Sequence, residues 1–288
     1  MKKEVDPIAI RIITDSTCDL SREDQARLDV QILPLTVSFA NDTYLDGIDL
    51  TNEEFYNLLD ASDKLPTTAQ VAPQAFYEAF KKYTGAGDEI VGIFISGKIS
   101  GTYNSACTAK GMLGAEGKKV YVVDSRSASM SLALLLSEAA KLRDEGLPAA
   151  QIAEHVGALT KKVRFLAAIH SLKYLRLGGR VSATTAVIGE ILGMKPIVSM
   201  INGTVQSVGK ARGTAAAIES ILKKIMKDMP NLKHNIVFAN SVCPDLLNKM
   251  IECFKKPLKL TEWLTVGIGS VIGTYSGRGV VGIAYIAR

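Results

Sequence analysis

Three histidines and four cysteines are all that 288 residues contain, and this scarcity excludes several kinds of chemistry. Cys18, Cys107, Cys243 and Cys253 lie far apart, with no C-x-x-C or other metal-ligand spacing, so neither a disulfide framework nor a zinc module is predicted. His155, His170 and His234 are the only imidazoles, which leaves a very small pool for a zinc site or a Ser-His-Asp triad. No apolar run approaches the roughly 20 residues that span a bilayer. The longest, Ser129 to Ala140 ("SMSLALLLSEAA"), carries polar positions at helical spacing. The amino-terminal "MKKEVDPIAIRIITDS" has two lysines but acidic residues directly after them and no cleavable apolar core, so a cytoplasmic protein without stable membrane insertion is expected. Basic blocks are also missing. The net charge of +5, from 34 basic and 29 acidic residues, is spread along the chain, which argues against nucleic acid as a partner.

What is present is alternation. Ile8–Thr14, Val30–Phe39, Glu89–Ile95 and Lys119–Asp124 are short apolar runs that read as strands, separated by amphipathic stretches at Ser21–Leu28, Thr51–Ala61, Pro73–Tyr83, Gly101–Leu113 and Ser127–Glu145 that read as helices. Thr51 and Glu54 have capping-box spacing, and Pro73 suits a first helical turn. This order favours a parallel sheet with helices on both faces and a site at the carboxyl ends of its strands. After a linking helix in "EGLPAAQIAEHVGAL" the pattern changes. Arg164–His170 reads as a strand, "TTAVIGEILGM" as an apolar helix, "PIVSMINGTVQSVG" as a hairpin turning at Asn202-Gly203, and Thr214–Met229 as a long helix. Two α/β domains are therefore expected, 1–162 with the parallel sheet and 163–288 of mixed α/β type.

Four strand-end loops gather polar groups: "TDSTCD" (Thr14–Asp19), "PTTAQVAP" (Pro66–Pro73), "SGKISGT" (Ser96–Thr102) and "DSRSAS" (Asp124–Ser129). Taken singly, their acids are helix caps. Taken together, loops after successive parallel strands converge on one edge, so their hydroxyls can share a ligand. The glycine turn at Ser96–Thr102 is neither a P-loop nor a dinucleotide fingerprint, and no G-x-S-x-G elbow occurs in the chain. What remains is a set of hydroxyl and amide donors at a helix start, suited to a carboxylate or phosphate. A second cluster, "LKYLRLGGRVS", "GKARGT" and "IGTYSGRGVVG", places Arg180 and Arg212 beside glycines, where a guanidinium is accessible to an oxyanion.

In sequence order, "IITDSTCDL", "PLTVSF" with "YLDGID", "PTTAQ", "SGKISGTYNSA", "VYVVDS", "LKYLRLGGRVS", "GMKP" and "IGTYSGRGVVG" resemble the motifs of DegV family proteins over nearly the whole chain. The resemblance implies a two-domain α/β fold that holds one long-chain fatty acid in a tunnel between the domains, with no other cofactor and no metal. It also implies a partner, the catalytic subunit of a bacterial fatty acid kinase, which phosphorylates the bound carboxylate. Carried over by motif, Thr68 and Ser100 become the carboxylate-binding residues, with Ser96 and Tyr275 beside them, and Arg180 and Arg212 become contacts to the kinase. "TTAVIGEILGM" becomes a wall of the tunnel. Departures fall at Ala69 and Val71 in the T-S-Q-P motif, at Gly97 in the serine pair, and at Tyr275 and Arg278, where histidine and proline are frequent. They bear on acyl-chain preference and on the handling of the carboxylate. The competing reading is a metal-dependent phosphotransferase or hydrolase built on Asp15, Ser16 and Asp124.

Overall fold

The computed structural model describes residues 8–181 and 192–288. A parallel sheet in the order β2-β1-β6-β7 is formed by β1 (Ile10–Asp15), β2 (Val30–Leu33), β6 (Glu89–Phe94) and β7 (Val120–Asp124). Its strands are buried on both faces, as parallel strands under helices must be. Helices α3 (Pro73–Gly85) and α4 (Thr102–Met112) cover one face; α5 (Met130–Asp144) and α6 (Ala149–Leu159) lie on the other.

The second sheet is mixed, in the order β10-β9-β8-β13-β11-β12, from β8 (Val163–Ala168), β9 (Met194–Ile201), β10 (Thr204–Arg212), β11 (Val237–Asn240), β12 (Leu264–Gly267) and β13 (Val281–Ile286). Helices α8 (Gly213–Ile225) and α9 (Pro244–Lys255) cover its outer face through Ile218, Ile221, Ile225 and Phe254. Its inner face meets α5, which touches strands of both sheets. Every residue from Met130 to Ala140 is therefore buried, and the helix is apolar nearly all round rather than amphipathic. Deleting one of its leucine side chains costs about 2–5 kcal/mol.

Local signals act as expected at several points. Thr51 and Glu54 close the capping box of α2 (Asn52–Ala61), and Pro73 occupies the first turn of α3. The β9–β10 hairpin turns at Asn202 and Gly203, both at positive φ, the signature of a type I′ turn.

The single strand expected over Val30–Phe39 is two. Pro34 has no N–H for a ladder, and the Leu35 amide donates instead to Ser16 Oγ at 3.1 Å. The chain then leaves the parallel sheet and forms β3 (Thr36–Phe39), the centre of a small antiparallel sheet with β4 (Asp42–Leu45) and β5 (Thr67–Ala69). The helix expected from Ser127 begins at Met130, because Ser129 holds a positive φ. Residues 184–191 of "TTAVIGEILGM" lie outside the described residues. Three further short helices are α1 (Arg22–Arg27), α7 (Lys173–Leu177) and α10 (Ser270–Ser276).

Candidate functional site

At the carboxyl end of β1, the Asp15 carboxylate accepts from the Thr17 amide, from the Thr17 hydroxyl and, at 2.8 Å, from the Ile95 amide just past β6. These bonds tie two strand-end loops together inside the protein. Burial pushes the Asp15 carboxyl up to about 6, against the N–H and O–H donors that favour its charge. Ser96 is also fully buried, and its Oγ donates at 2.8 Å to the carbonyl of Gly203. The serine therefore latches the tip of the β9–β10 hairpin and faces away from open space. Ser100 Oγ accepts from the Thr102 amide at 3.2 Å as α4 begins.

A cavity of about 370 Å³ lies between the two large sheets. Apolar side chains such as Ile95, Met130, Phe165, Val198, Met200 and Ile272 form most of its wall. Its polar lining comes from Thr68, Gln70, Ser100, Ser129, Arg180, Tyr275 and Ser276. Thr68 Oγ1 and Tyr275 Oη are 2.6 Å apart, joining β5 to α10. The Tyr275 ring lies against Gly178, where a Cβ would approach the ring carbons to 2.4 Å, so any side chain there would displace the ring. Over the same ring stands the Arg180 guanidinium, 4.7 Å from its centroid. Ser276 Oγ is buried with no hydrogen-bond partner among the described residues.

Gln70 joins the two hydroxyl-bearing segments. Its Nε2 donates at 2.8 Å to Ser105 Oγ on α4, and its amide lies so close over Gly101 that a Cβ there would fall 1.8 Å from Oε1. The segments that carry Thr68 and Ser100 are thus tied together through Gln70. Sequence reasoning passed over Gln70, although it stands two positions after Thr68 in the same motif; it also missed Ser276.

Of the residues named from sequence, Thr68, Ser100, Tyr275 and Arg180 line one cavity. Ser96 lies beside it, turned to the hairpin. Arg212 is exposed where β10 gives way to α8. Arg278 reaches across to α2, with Nε on Asp60 at 2.8 Å and Nη2 on Asn57 at 2.9 Å. Asp15 and Ser16 are engaged in the loop contacts above, and Asp124 accepts from the amides of Gly97 and Arg126. Among the described residues no three His, Cys, Asp or Glu side chains are grouped to hold a metal, and no helix is long and apolar enough to cross a membrane.

A cavity with apolar walls and a cluster of polar groups at one end fits a single-chain amphiphile. Known proteins agree with that description. A DegV family protein from Thermus thermophilus, described for its fatty acid binding, superimposes with a TM-score of 0.88 at 28% identity, covering 98% of this chain and 100% of its own. The fatty acid kinase (Fak) B3 protein of Streptococcus pneumoniae, loaded with linoleic acid, has the same fold, with a TM-score of 0.86 at 21% identity over 98% and 100% of the two chains. A DegV domain-containing protein of Clostridium acetobutylicum is 33% identical over 283 residues, 97% of this chain and 99% of that one. The family model described as "Uncharacterised protein, DegV family" matches residues 9–288, and with that span the chain belongs to the DegV family.

Proposed function

We propose that this protein is a non-catalytic carrier of one long-chain fatty acid, which it presents to a fatty acid kinase for conversion to an acyl phosphate. The observation that carries the reading is the cavity, in which apolar walls from both sheets end at the hydroxyls of Thr68, Ser100 and Tyr275. Each buried methylene contributes about 0.8 kcal/mol, so the walls provide affinity and the polar end provides orientation. Neutral donors at the start of α4 stabilise a carboxylate without competing ion pairs. The fatty acid binding described for the T. thermophilus relative supports the ligand class.

The kinase half of the proposal rests on the family resemblance and on the fold shared with a protein named as part of a fatty acid kinase. Arg212, exposed at the end of β10, and Arg180, at the polar end of the cavity, are the residues we assign to the kinase side. We place the division between the two lobes at Lys162 and Val163, where the mixed sheet begins, and the protein in the cytoplasm, where a kinase finds its ATP.

Solvent extraction of the purified protein followed by mass spectrometry tests the carrier reading. One fatty acid per chain is expected. A protein that emerges empty and takes up no added fatty acid refutes it.

A further inference from the structure

Residues 267–270 lead from β12 into α10, the helix that carries Tyr275, yet four residues of the other lobe hold them. Gly267 O accepts from Asn52 Nδ2 at 3.0 Å, and Ile268 O accepts from the Tyr56 hydroxyl at 3.2 Å. The next two amides donate to carboxyl groups. The Gly269 N–H reaches Asp19 Oδ1 at 3.0 Å, and the Ser270 N–H reaches Asp46 Oδ1 at 2.9 Å, with the Ser270 hydroxyl on that same oxygen at 2.6 Å. A Cβ on Gly269 would lie 3.1 Å from Oδ1 of both acids, so the two carboxyls converge on one backbone position. Asp19 Oδ2 also accepts from the hydroxyl of Ser129, which belongs to the cavity wall.

Asp19 is 8% exposed and Asp46 4%. Asp46 Oδ2 is buried with no hydrogen-bond partner among the described residues, and no cation pairs with either acid among them. The titratable groups packed against the pair are Asp15 and Cys18 from the end of β1 and Tyr56 from α2, and burial pushes the thiol and the phenol up, so both are neutral. Arg22, Asp49 and Glu54 line the open groove alongside. Two carboxyls this close, with little water and no cation, cannot both ionise without a large penalty, and sharing one proton removes it. Burial raises both, and the charge of Asp46 raises Asp19 further.

We propose that Asp19 and Asp46 share one proton and act as a positioning pair, which holds α10 and Tyr275 against the cavity while that proton is in place and so links ligand affinity to protonation. With both acids ionised, their repulsion falls on the backbone of Gly269 and Ser270 between them, and parting residues 267–270 from the β1 loop relieves it. The closed, loaded protein therefore binds the proton more tightly than the open one. Affinity is greatest at low pH and declines as pH rises, by up to tenfold per unit for a single linked proton. The inference rests on the carrier reading and adds a regulation of the same site.

The test is displacement of a fluorescent lipid by tetradecanoate between pH 5.5 and 8.5, in the full chain and in Asp46→Asn. The asparagine is neutral at every pH and keeps its Oδ1 for the Ser270 amide. The ratio of variant to wild-type affinity cancels the titration of the ligand's own head group. That ratio should be near one at pH 5.5 and rise at least tenfold by pH 8.5, because only the wild type loosens. Asp19→Asn should give the same profile, and it decides the matter if Asp46→Asn does not fold. A ratio that stays constant with pH, or one that falls, would overturn the shared proton and leave the carrier reading standing. A wild type that binds no tetradecanoate at any pH refutes the carrier reading, and this inference with it.

Discussion

The hydroxyls of Thr68 and Tyr275 lie 2.6 Å apart although 207 positions separate them in the chain. Thr68 belongs to the small antiparallel sheet and Tyr275 to the last short helix before β13, so this one bond closes the polar end of the cavity from both lobes. Removing the Thr68 and Ser100 hydroxyls together as Thr68→Val with Ser100→Ala changes little volume and leaves the apolar walls intact. Each hydrogen bond to a charged group contributes about 1.5–3 kcal/mol. The double variant should therefore bind fatty acid at least a hundredfold more weakly, which is about 2.7 kcal/mol. The effect on the corresponding alcohol should be much smaller. Displacement titrations in which the acid binds both proteins equally would remove Thr68 and Ser100 from the site.

Gln70 and Gly101 give a test of how the two segments are aligned. In Gly101→Ala the new methyl would fall 1.8 Å from Gln70 Oε1. The flexible amide must then swing away and give up its bond to Ser105. The expected cost is about 1 kcal/mol of stability, the usual net value of such a bond. With Gln70→Ala already in place, Gly101→Ala should cost nearly nothing, so the pair should be clearly non-additive in chemical denaturation. Additive losses would mean that Gln70 does not hold the turn.

These pairs also show where sequence reading stops. Thr51 with Glu54, Pro73, and Asn202 with Gly203 were legible because each signal acts within a few residues of itself. The break at Pro34 was visible in principle, but nothing local says that Thr36–Phe39 will pair with Thr67–Ala69, a segment without apolar alternation. The polar loops were found because strand-end loops of a parallel sheet converge. Which way each side chain turns was not legible. Ser96 faces a hairpin carbonyl 107 positions away and Ser100 faces the cavity, and no local pattern encodes either choice. Arg180 and Arg212 look alike as arginines beside glycines; only the fold puts one on a tyrosine ring and the other at the surface.

Stability should respond to pH through the buried acids near these loops. Burial raises the carboxyls of Asp15, to about 6, and of Asp19 and Asp46. For Asp15 the folded protein binds its proton more tightly than the unfolded chain, whose carboxyl titrates near 3.8. The resulting stabilisation is complete below about 4 and disappears as pH rises through about 6. We therefore expect a higher melting temperature at pH 5 than at pH 7. Asp19→Asn should flatten this dependence. Its side-chain oxygen can still accept from the Gly269 amide, and its NH₂ can donate to Ser129 Oγ once that hydroxyl turns. Thermal scans showing a stability that climbs from pH 5 to 7 would contradict the assignment.

Gly178 is the position where one added carbon should separate binding from folding. A Cβ there would come within 2.4 Å of two carbons of the Tyr275 ring. The residue caps the carboxyl end of α7 and packs against Tyr275. The backbone at Gly178 has an ordinary negative φ of −79°, so alanine brings no backbone strain and the whole effect falls on the ring. Tyr275 must tilt away, pulling its hydroxyl from Thr68 and its face from under Arg180. Gly178→Ala should consequently lower fatty acid affinity by about tenfold or more, or about 1.4 kcal/mol, with a loss of stability of about 1–3 kcal/mol, typical of local overpacking. Tyr275→Phe, which removes the hydroxyl but leaves the ring under Arg180, should weaken acid binding less than Gly178→Ala does. If Tyr275→Phe instead proves the more damaging of the two, the Tyr275 hydroxyl governs the site and the position of its ring does not.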